Sequence, residues 1–412
     1  MISLKNNIIT LEYYFYTIFI QMRFTKIIAI LFLINNLDFT LIQYTVLQSS
    51  FSIAQFAMEL PSGILSDYFS NKTIVILGAV LTIVSQLIIC LGFAVEINNM
   101  YELVLFAYIL EGIGRAFISG SDDAFFYKKL KENNLEKLYG KIIGKVHLVC
   151  AIAIGAATFL GGIMYSYKPQ IPYIGQMIFT FMAVLIVFFI KDEKYSFSKM
   201  DKHKECRTLK KMFNEFKIVS KNKESTFMVL FISFVFAVIP TIFSIMPNYL
   251  DKLGFNAGEN GMLFMILSFI GGIISIQAYR LERLSFGYLI LITCTMMSGS
   301  LIFILFGINK IVIFIGLVLL YVILDLLEPV AMKSFNSYVG DDIRATFLSM
   351  VSFITTATTM IVYPIVGYIV EKYGMNYLLV FTVLVTMLLL VIAFALYKSF
   401  KRKESLKKYS IN

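Results

Sequence analysis

Glu59-Leu60-Pro61-Ser62-Gly63-Ile64-Leu65-Ser66-Asp67-Tyr68-Phe69-Ser70-Asn71-Lys72 joins two long apolar runs, residues 44–64 and 73–95. Each run has about the 20 apolar residues that a helix needs to cross the hydrocarbon core of a bilayer. Lipid offers a backbone no hydrogen-bond partner, so a run of this kind is read as a closed helix. The same alternation of apolar run and polar break continues outward to both ends of the chain. It places spans at 9–33, 44–64, 73–95, 101–127, 141–166, 172–190, 225–249, 259–279, 286–307, 311–335, 345–370 and 376–397. The first span contains Glu12, Arg23 and Lys26, and is read as ending at the turn Asn35-Asn36-Leu37-Asp38. An alternative starts it near Ile27 and leaves residues 8–22 as an interfacial helix.

Composition gives the same class. Of 412 residues, 58% are hydrophobic and 15% charged, against roughly 45–50% and 25% in a soluble domain. Mean hydropathy is +0.80. So much apolar surface cannot be hidden in one globular core. The net charge of +10 points to nucleic acid only when basic residues cluster on a soluble surface. Here they lie between the apolar runs. With both termini cytoplasmic, 29 of the 36 Lys and Arg fall in cytoplasmic segments. Four lie outside (Lys168, Lys252, Lys310 and Lys372), the bias expected of a multi-pass protein of the cell (inner) membrane.

Eleven of those basic residues sit in 191–224, which divides the spans six and six. The domains expected are a six-helix bundle over 1–190, a cytoplasmic linker over 191–224, a second six-helix bundle over 225–397, and a tail over 398–412. Within the linker, the stretch Leu209-Lys210-Lys211-Met212-Phe213 has the pattern of a surface helix. No cleavable leader is read at the N-terminus, and the first helix is expected to stay as an anchor. Asn35–Tyr44 resembles Asp251–Gly261: a polar stretch, a Phe, then a polar helix start. Internal repeats of this kind are common in carriers whose substrate site lies near mid-membrane.

Charge inside a span costs roughly 2.5–3.5 kcal/mol on insertion scales and therefore marks a function or a partner. Glu111 and Arg115, i and i+4 in the fourth span, share one helix face. They either neutralise each other as a packing pair or line the transport path. Asp325 and Glu328, i and i+3 in the tenth span, form a two-carboxylate face suited to taking up a proton, or a helix-end group paired with Lys333. Asp122 and Asp123 are expected to cap or pair near the cytoplasmic end of the fourth span, and His147 to hydrogen-bond within the bundle. Gly155, Gly161 and Gly162 in the fifth span permit close helix approach. The four cysteines are scattered and only two histidines exist, so neither a metal site, a cofactor nor a disulfide framework is read. An H-x-x-x-x-D acyltransferase motif and a G-x-x-x-x-G-K phosphate loop are both absent from the sequence. That sets a membrane enzyme aside as the remote alternative.

The 59–72 stretch resembles the signature loop of the major facilitator superfamily, G-x-L-x-D-R-x-G-R-K. Gly63, Leu65, Asp67 and Lys72 match, whereas Tyr68, Ser70 and Asn71 replace a basic residue, a glycine and an arginine. The stretch from Gly112 to Tyr127 is similar to the fourth span of bacterial members, Arg344-Ala345-Thr346-Phe347-Leu348-Ser349 to the start of the eleventh, and Arg23-Phe24 to a pair in the first. The resemblance implies an all-α integral membrane protein of twelve transmembrane helices in two pseudo-symmetric six-helix bundles. It also implies a secondary transporter that moves a small molecule by alternating access, with Gly63, Asp67 and Lys72 in a cytoplasmic gate loop.

Many members of that drug-exporter-like branch use proton antiport, so the expectation is proton-coupled efflux of amphipathic compounds, with Arg23, Glu111, Arg115, Asp325 and Glu328 as candidates for substrate or proton contact. Ion-coupled uptake of a sugar, nucleoside or peptide is the alternative. The family's antiporter signature in span 5 is not reproduced, because Gly155-Ala156 lacks its Pro. The partners expected are a small-molecule substrate, H+ and the lipid bilayer, with neither nucleic acid nor an obligate protein partner.

Overall fold

A computed structural model describes residues 2–95, 99–135, 138–191, 223–275, 286–307, 309–338 and 341–409. The side chains of 2–7, 60, 64, 66, 67, 223–225, 275, 286–287, 328–350 and 393–409 lie outside that description. So do the surface-helix reading at 209–213 and most of the linker.

The described residues form fourteen helices: α1 (Ile2–Gln21), α2 (Thr25–Asn35), α3 (Leu41–Tyr68), α4 (Asn71–Val95), α5 (Met100–Ile118), α6 (Ser121–Glu132), α7 (Tyr139–Tyr167), α8 (Ile171–Phe189), α9 (Lys223–Lys252), α10 (Ala257–Ser275), α11 (Phe286–Leu305), α12 (Lys310–Tyr338), α13 (Asp341–Tyr373) and α14 (Met375–Tyr409). Eleven stretches among them are long and apolar enough to cross a bilayer. With α3, whose 28 residues also suffice in length, the crossings number twelve. Large apolar side chains stand exposed along these helices, including Leu91 at 54%, Ile178 at 53% and Val391 at 65%. A water-facing surface this apolar is unfavourable, and a lipid-facing one is required.

Two spans are not the continuous helices expected. The first crossing runs Ile8–Asn35 but breaks at Met22–Phe24. There Met22 N bonds Phe19 O and Arg23 N bonds Gln21 O, so the i to i−4 ladder stops. The broken ladder is compensated from other helices. Gln176 Oε1 of α8 accepts from Thr25 N at 3.2 Å and from Thr25 Oγ1 at 2.7 Å, satisfying a backbone group that a helix start leaves open. A Cβ at Gly161 of α7 would collide with the Phe24 carbonyl, so only glycine lets α7 lie against the break. The fourth crossing breaks at Ser119–Gly120, where Gly120 adopts φ +79°, a left-handed conformation that glycine tolerates without a Cβ penalty.

Two compact units are resolved. The first gathers Met1–His203 with Phe243–Phe269 and Tyr363–Gly367. Its core packs Tyr13, Tyr16 and Ile20 of α1 against Val75, Ile118, Phe125, Phe126, Ile142 and Val187, with the Tyr13 and Phe126 rings stacked at 4.3 Å. The second comprises Lys204–Ile242, Ile270–Val362 and Tyr368–Asn412. Within it, Ser298 and Thr386 hydrogen-bond at 2.8 Å between α11 and α14, and Thr355 of α13 donates to Ser233 of α9 at 3.0 Å.

Candidate functional site

Small residues place the charged face of the fourth span. A Cβ at Gly78 would stand 2.6 Å from the Gly114 carbonyl, and one at Gly114 2.6 Å from the Gly78 carbonyl. A Cβ at Gly112 would collide with the Phe51 carbonyl. α5 is thus clamped between α3 and α4 at backbone distance, and Glu111 and Arg115 are held where those glycines put them.

Arg115 is 7% exposed and its Nη2 lies 3.9 Å from Glu111 Oε1, a loose ion pair. Glu111 Oε2 accepts from Gln86 Nε2 of α4 at 3.0 Å. Arg23, at the break in the first span, lies within electrostatic range of Arg115, Glu111, Asp122 and Cys150. The structure therefore brings together three of the residues singled out in the sequence: Arg23, Glu111 and Arg115. It adds Gln86, Tyr16 and Gln176, for which the available signal was a polar side chain in an otherwise apolar run.

Asp122 and Asp123 begin α6 rather than end a continuous span. The acidic first turn suits the positive end of a helix. Tyr13 donates to Asp123 Oδ1 at 2.8 Å and Tyr16 to Asp122 Oδ2 at 3.2 Å, so both carboxylates tie the broken fourth span to the broken first. His147, expected to bond within the bundle, stands exposed on α7.

Asp325 belongs to the second unit, where its carboxylate lies so close to Gly271 of α10 that a Cβ there would collide with it. Its expected companion Glu328 lies among the side chains outside the description, as does Asp67 of the 59–72 loop. Lys72 of that loop donates to the Phe188 and Ile190 carbonyls at 2.7 and 2.8 Å. It thereby neutralises the negative end of α8. A Cβ at Gly63 would meet nothing within 4 Å among the described residues.

A second layer lies in the first unit at the ends expected to face outward. Asn35 Nδ2 donates to Asp251 Oδ2 at 3.1 Å and Tyr165 to Asn36 Oδ1 at 2.7 Å. Tyr44 donates to the Ser244 carbonyl at 3.2 Å. A Cβ at Gly162 would collide with the Ala257 carbonyl and one at Gly367 with Thr45, and a Cβ at Gly261 would stand 2.6 Å from the Thr158 carbonyl. Spans 1, 2, 5, 7, 8 and 11 meet here through glycines and short polar bonds. Gly155, by contrast, makes only ordinary contact, 3.6 Å to Met265.

The sequence model of the Major Facilitator Superfamily matches residues 14–325, and the chain belongs to that family: it is a membrane transporter and not an enzyme. It is 22% identical over 346 residues to multidrug resistance protein 1 of Bacillus subtilis, covering 83% of each chain. It is 23% identical over 306 residues to multidrug resistance protein 2 of the same organism, covering 72% of each. Among solved structures it is similar to the nucleoside transporter NupG, with a TM-score of 0.76 at 15% identity over 97% of this chain and 99% of that one. It is also similar to a D-xylose–proton symporter, with a TM-score of 0.67 at 13% identity over 92% and 96%. The shared fold is the major facilitator fold.

Proposed function

We propose that this transporter exports amphipathic small molecules in exchange for protons by alternating access, from a cell membrane in which both termini are cytoplasmic. The carrying observation is the enclosed Glu111–Arg115 pair in the fourth span. A carboxylate held there by one loose ion pair and one amide can gain or lose its proton without dismantling a helix. The change in charge alters what Arg115 and Arg23 attract. Asp325 and Glu328 are second candidates for the same step in the second unit, and Gly63, Asp67 and Lys72 for a cytoplasmic latch between six-helix bundles. Export is favoured by the two multidrug resistance relatives. Nutrient uptake is the second reading, favoured by the likeness in fold to the nucleoside transporter and the xylose–proton symporter.

The test is transport of a panel of fluorescent amphipathic dyes in proteoliposomes under an imposed pH gradient. Glu111→Gln is expected to lose at least about tenfold of the gradient-driven movement while retaining exchange without a gradient, because only the proton-carrying step is removed. Undiminished gradient-driven movement in Glu111→Gln would remove Glu111 from the coupling step, and the same measurement on Asp325→Asn and Glu328→Gln would test the second unit. Depletion from loaded vesicles, as against accumulation, distinguishes export from uptake.

A further inference from the structure

The two broken spans differ in how their new helix starts are compensated. The α6 start carries Asp122 and Asp123 in its first turn, so its partial positive charge is matched within the helix. The α2 start has no acidic residue in its first turn and no side-chain cap from Phe24. It carries cations instead, Arg23 just before it and Lys26 just inside it. A positive helix end with two cations on it, in the middle of a crossing, is electrostatically unfavourable until an anion arrives. The neighbouring acids act on Arg23 only through space: among the described residues, the contacts of Glu111 are to Arg115 and Gln86, and those of Asp122 to Tyr16 and the Asp123 N–H.

Two unsatisfied atoms point the same way. Arg23 Nε is buried and donates to nothing among the described residues, and Gln86 Oε1 is buried and accepts from nothing among them. Leaving such groups unmade in a low-dielectric interior is costly. Helix starts broken in mid-membrane are places where carriers hold anionic groups of their substrates.

We propose that the transported molecule carries an anionic group, bound at the break in the first span by Arg23 and the start of α2, and a hydrogen-bond donor that reaches Gln86. This rests on the reading of the chain as an exporter of amphipathic compounds and narrows it to amphipathic organic anions bearing a hydroxyl or amino group. Arg115, held by Glu111, supplies a second positive neighbour whose pull on the anion grows when Glu111 is protonated.

The full-length purified protein is tested by thermal stabilisation with aromatic hydroxy acids, amino acids and sulfonates, each paired with its uncharged amide and with a cationic amidine of the same skeleton. At least one anion is expected to raise the midpoint by several degrees while its amide and amidine do not. Arg23→Gln is expected to weaken that anion at least about tenfold, Arg23→Lys to keep most of the affinity, and Gln86→Leu to weaken hydroxylated anions more than their deoxy analogues. A panel in which amidines stabilise as much as anions, or in which no anion exceeds its amide, overturns the proposal. So does an anion preference that survives in Arg23→Gln with an unchanged ligand-free midpoint. Proteoliposomes separate the two readings. Arg23-dependent anion binding without movement of that anion overturns the transport reading alone, and movement of cations without anion binding overturns this inference alone.

Discussion

The turn after the first span and the turn after the seventh, 216 residues later along the chain, can be laid over each other residue by residue. Asn35 corresponds to Asp251, Leu37 to Leu253, Phe39 to Phe255, Thr40 to Asn256 and Gln43 to Glu259. Both reverse at a left-handed residue, Asp38 at φ 52° and Gly254 at φ 83°. Both then bury a phenylalanine, 7% and 6% exposed, and open the next helix with a reciprocal cap. Thr40 Oγ1 accepts from Gln43 N while Gln43 Oε1 accepts from Thr40 N. Asn256 Oδ1 accepts from Glu259 N while Glu259 Oε2 accepts from Asn256 N. In each case a glycine from another span closes on the helix that follows, Gly367 on Thr45 and Gly162 on Ala257. The same backbone demand is therefore met by different residues, which is why the repeat is faint as sequence and plain as structure. Where the two turns touch, an amide on one side, Asn35, meets a carboxylate on the other, Asp251. Two carboxylates there would repel each other.

The comparison breaks first at the glycines. Gly162→Leu puts a branched side chain where the Ala257 carbonyl now lies. Transport is expected to fall by tenfold or more, and a cysteine placed at Asn36 to be labelled faster by a membrane-impermeant thiol reagent. Unchanged labelling would show that this contact does not close the layer around Asn36. The left-handed positions sharpen the comparison with opposite signs. Gly254→Ala is expected to cost about 1–2 kcal/mol, because a Cβ disfavours that conformation, whereas Asp38→Gly is expected to be neutral or to raise the melting midpoint slightly. Equal signs in thermal unfolding would deny the equivalence of the turns. The smallest effects lie in the caps: Thr40→Ala and Asn256→Ala should each cost about 1 kcal/mol, read as faster amide exchange confined to the first turn of α3 or α10.

Much of the fold was legible because hydropathy is a local, additive property. A run such as Thr73–Val95 is apolar enough to span whatever packs against it, and the charge asymmetry of the loops needs no tertiary contact to be counted. The turn at Asn35–Asp38 was legible for a similar reason, since its conformation depends on its own residues. The charged face of the fourth span was half legible: i, i+4 spacing puts Glu111 and Arg115 together, but Gln86 reaches Glu111 from 25 residues away, and no spacing rule finds it.

The sequence by itself determined that the chain lives in lipid, how many times it crosses, and where its first and seventh spans turn, because each follows from solvation and backbone preference over a few consecutive residues. Only the tertiary structure decided that the first crossing breaks at Arg23. That break needs Gln176 to accept from Thr25 N and Gly161 to make room for the Phe24 carbonyl, two residues far away in the chain. A helix interrupted in a membrane exists only where its neighbours satisfy what the interruption leaves open.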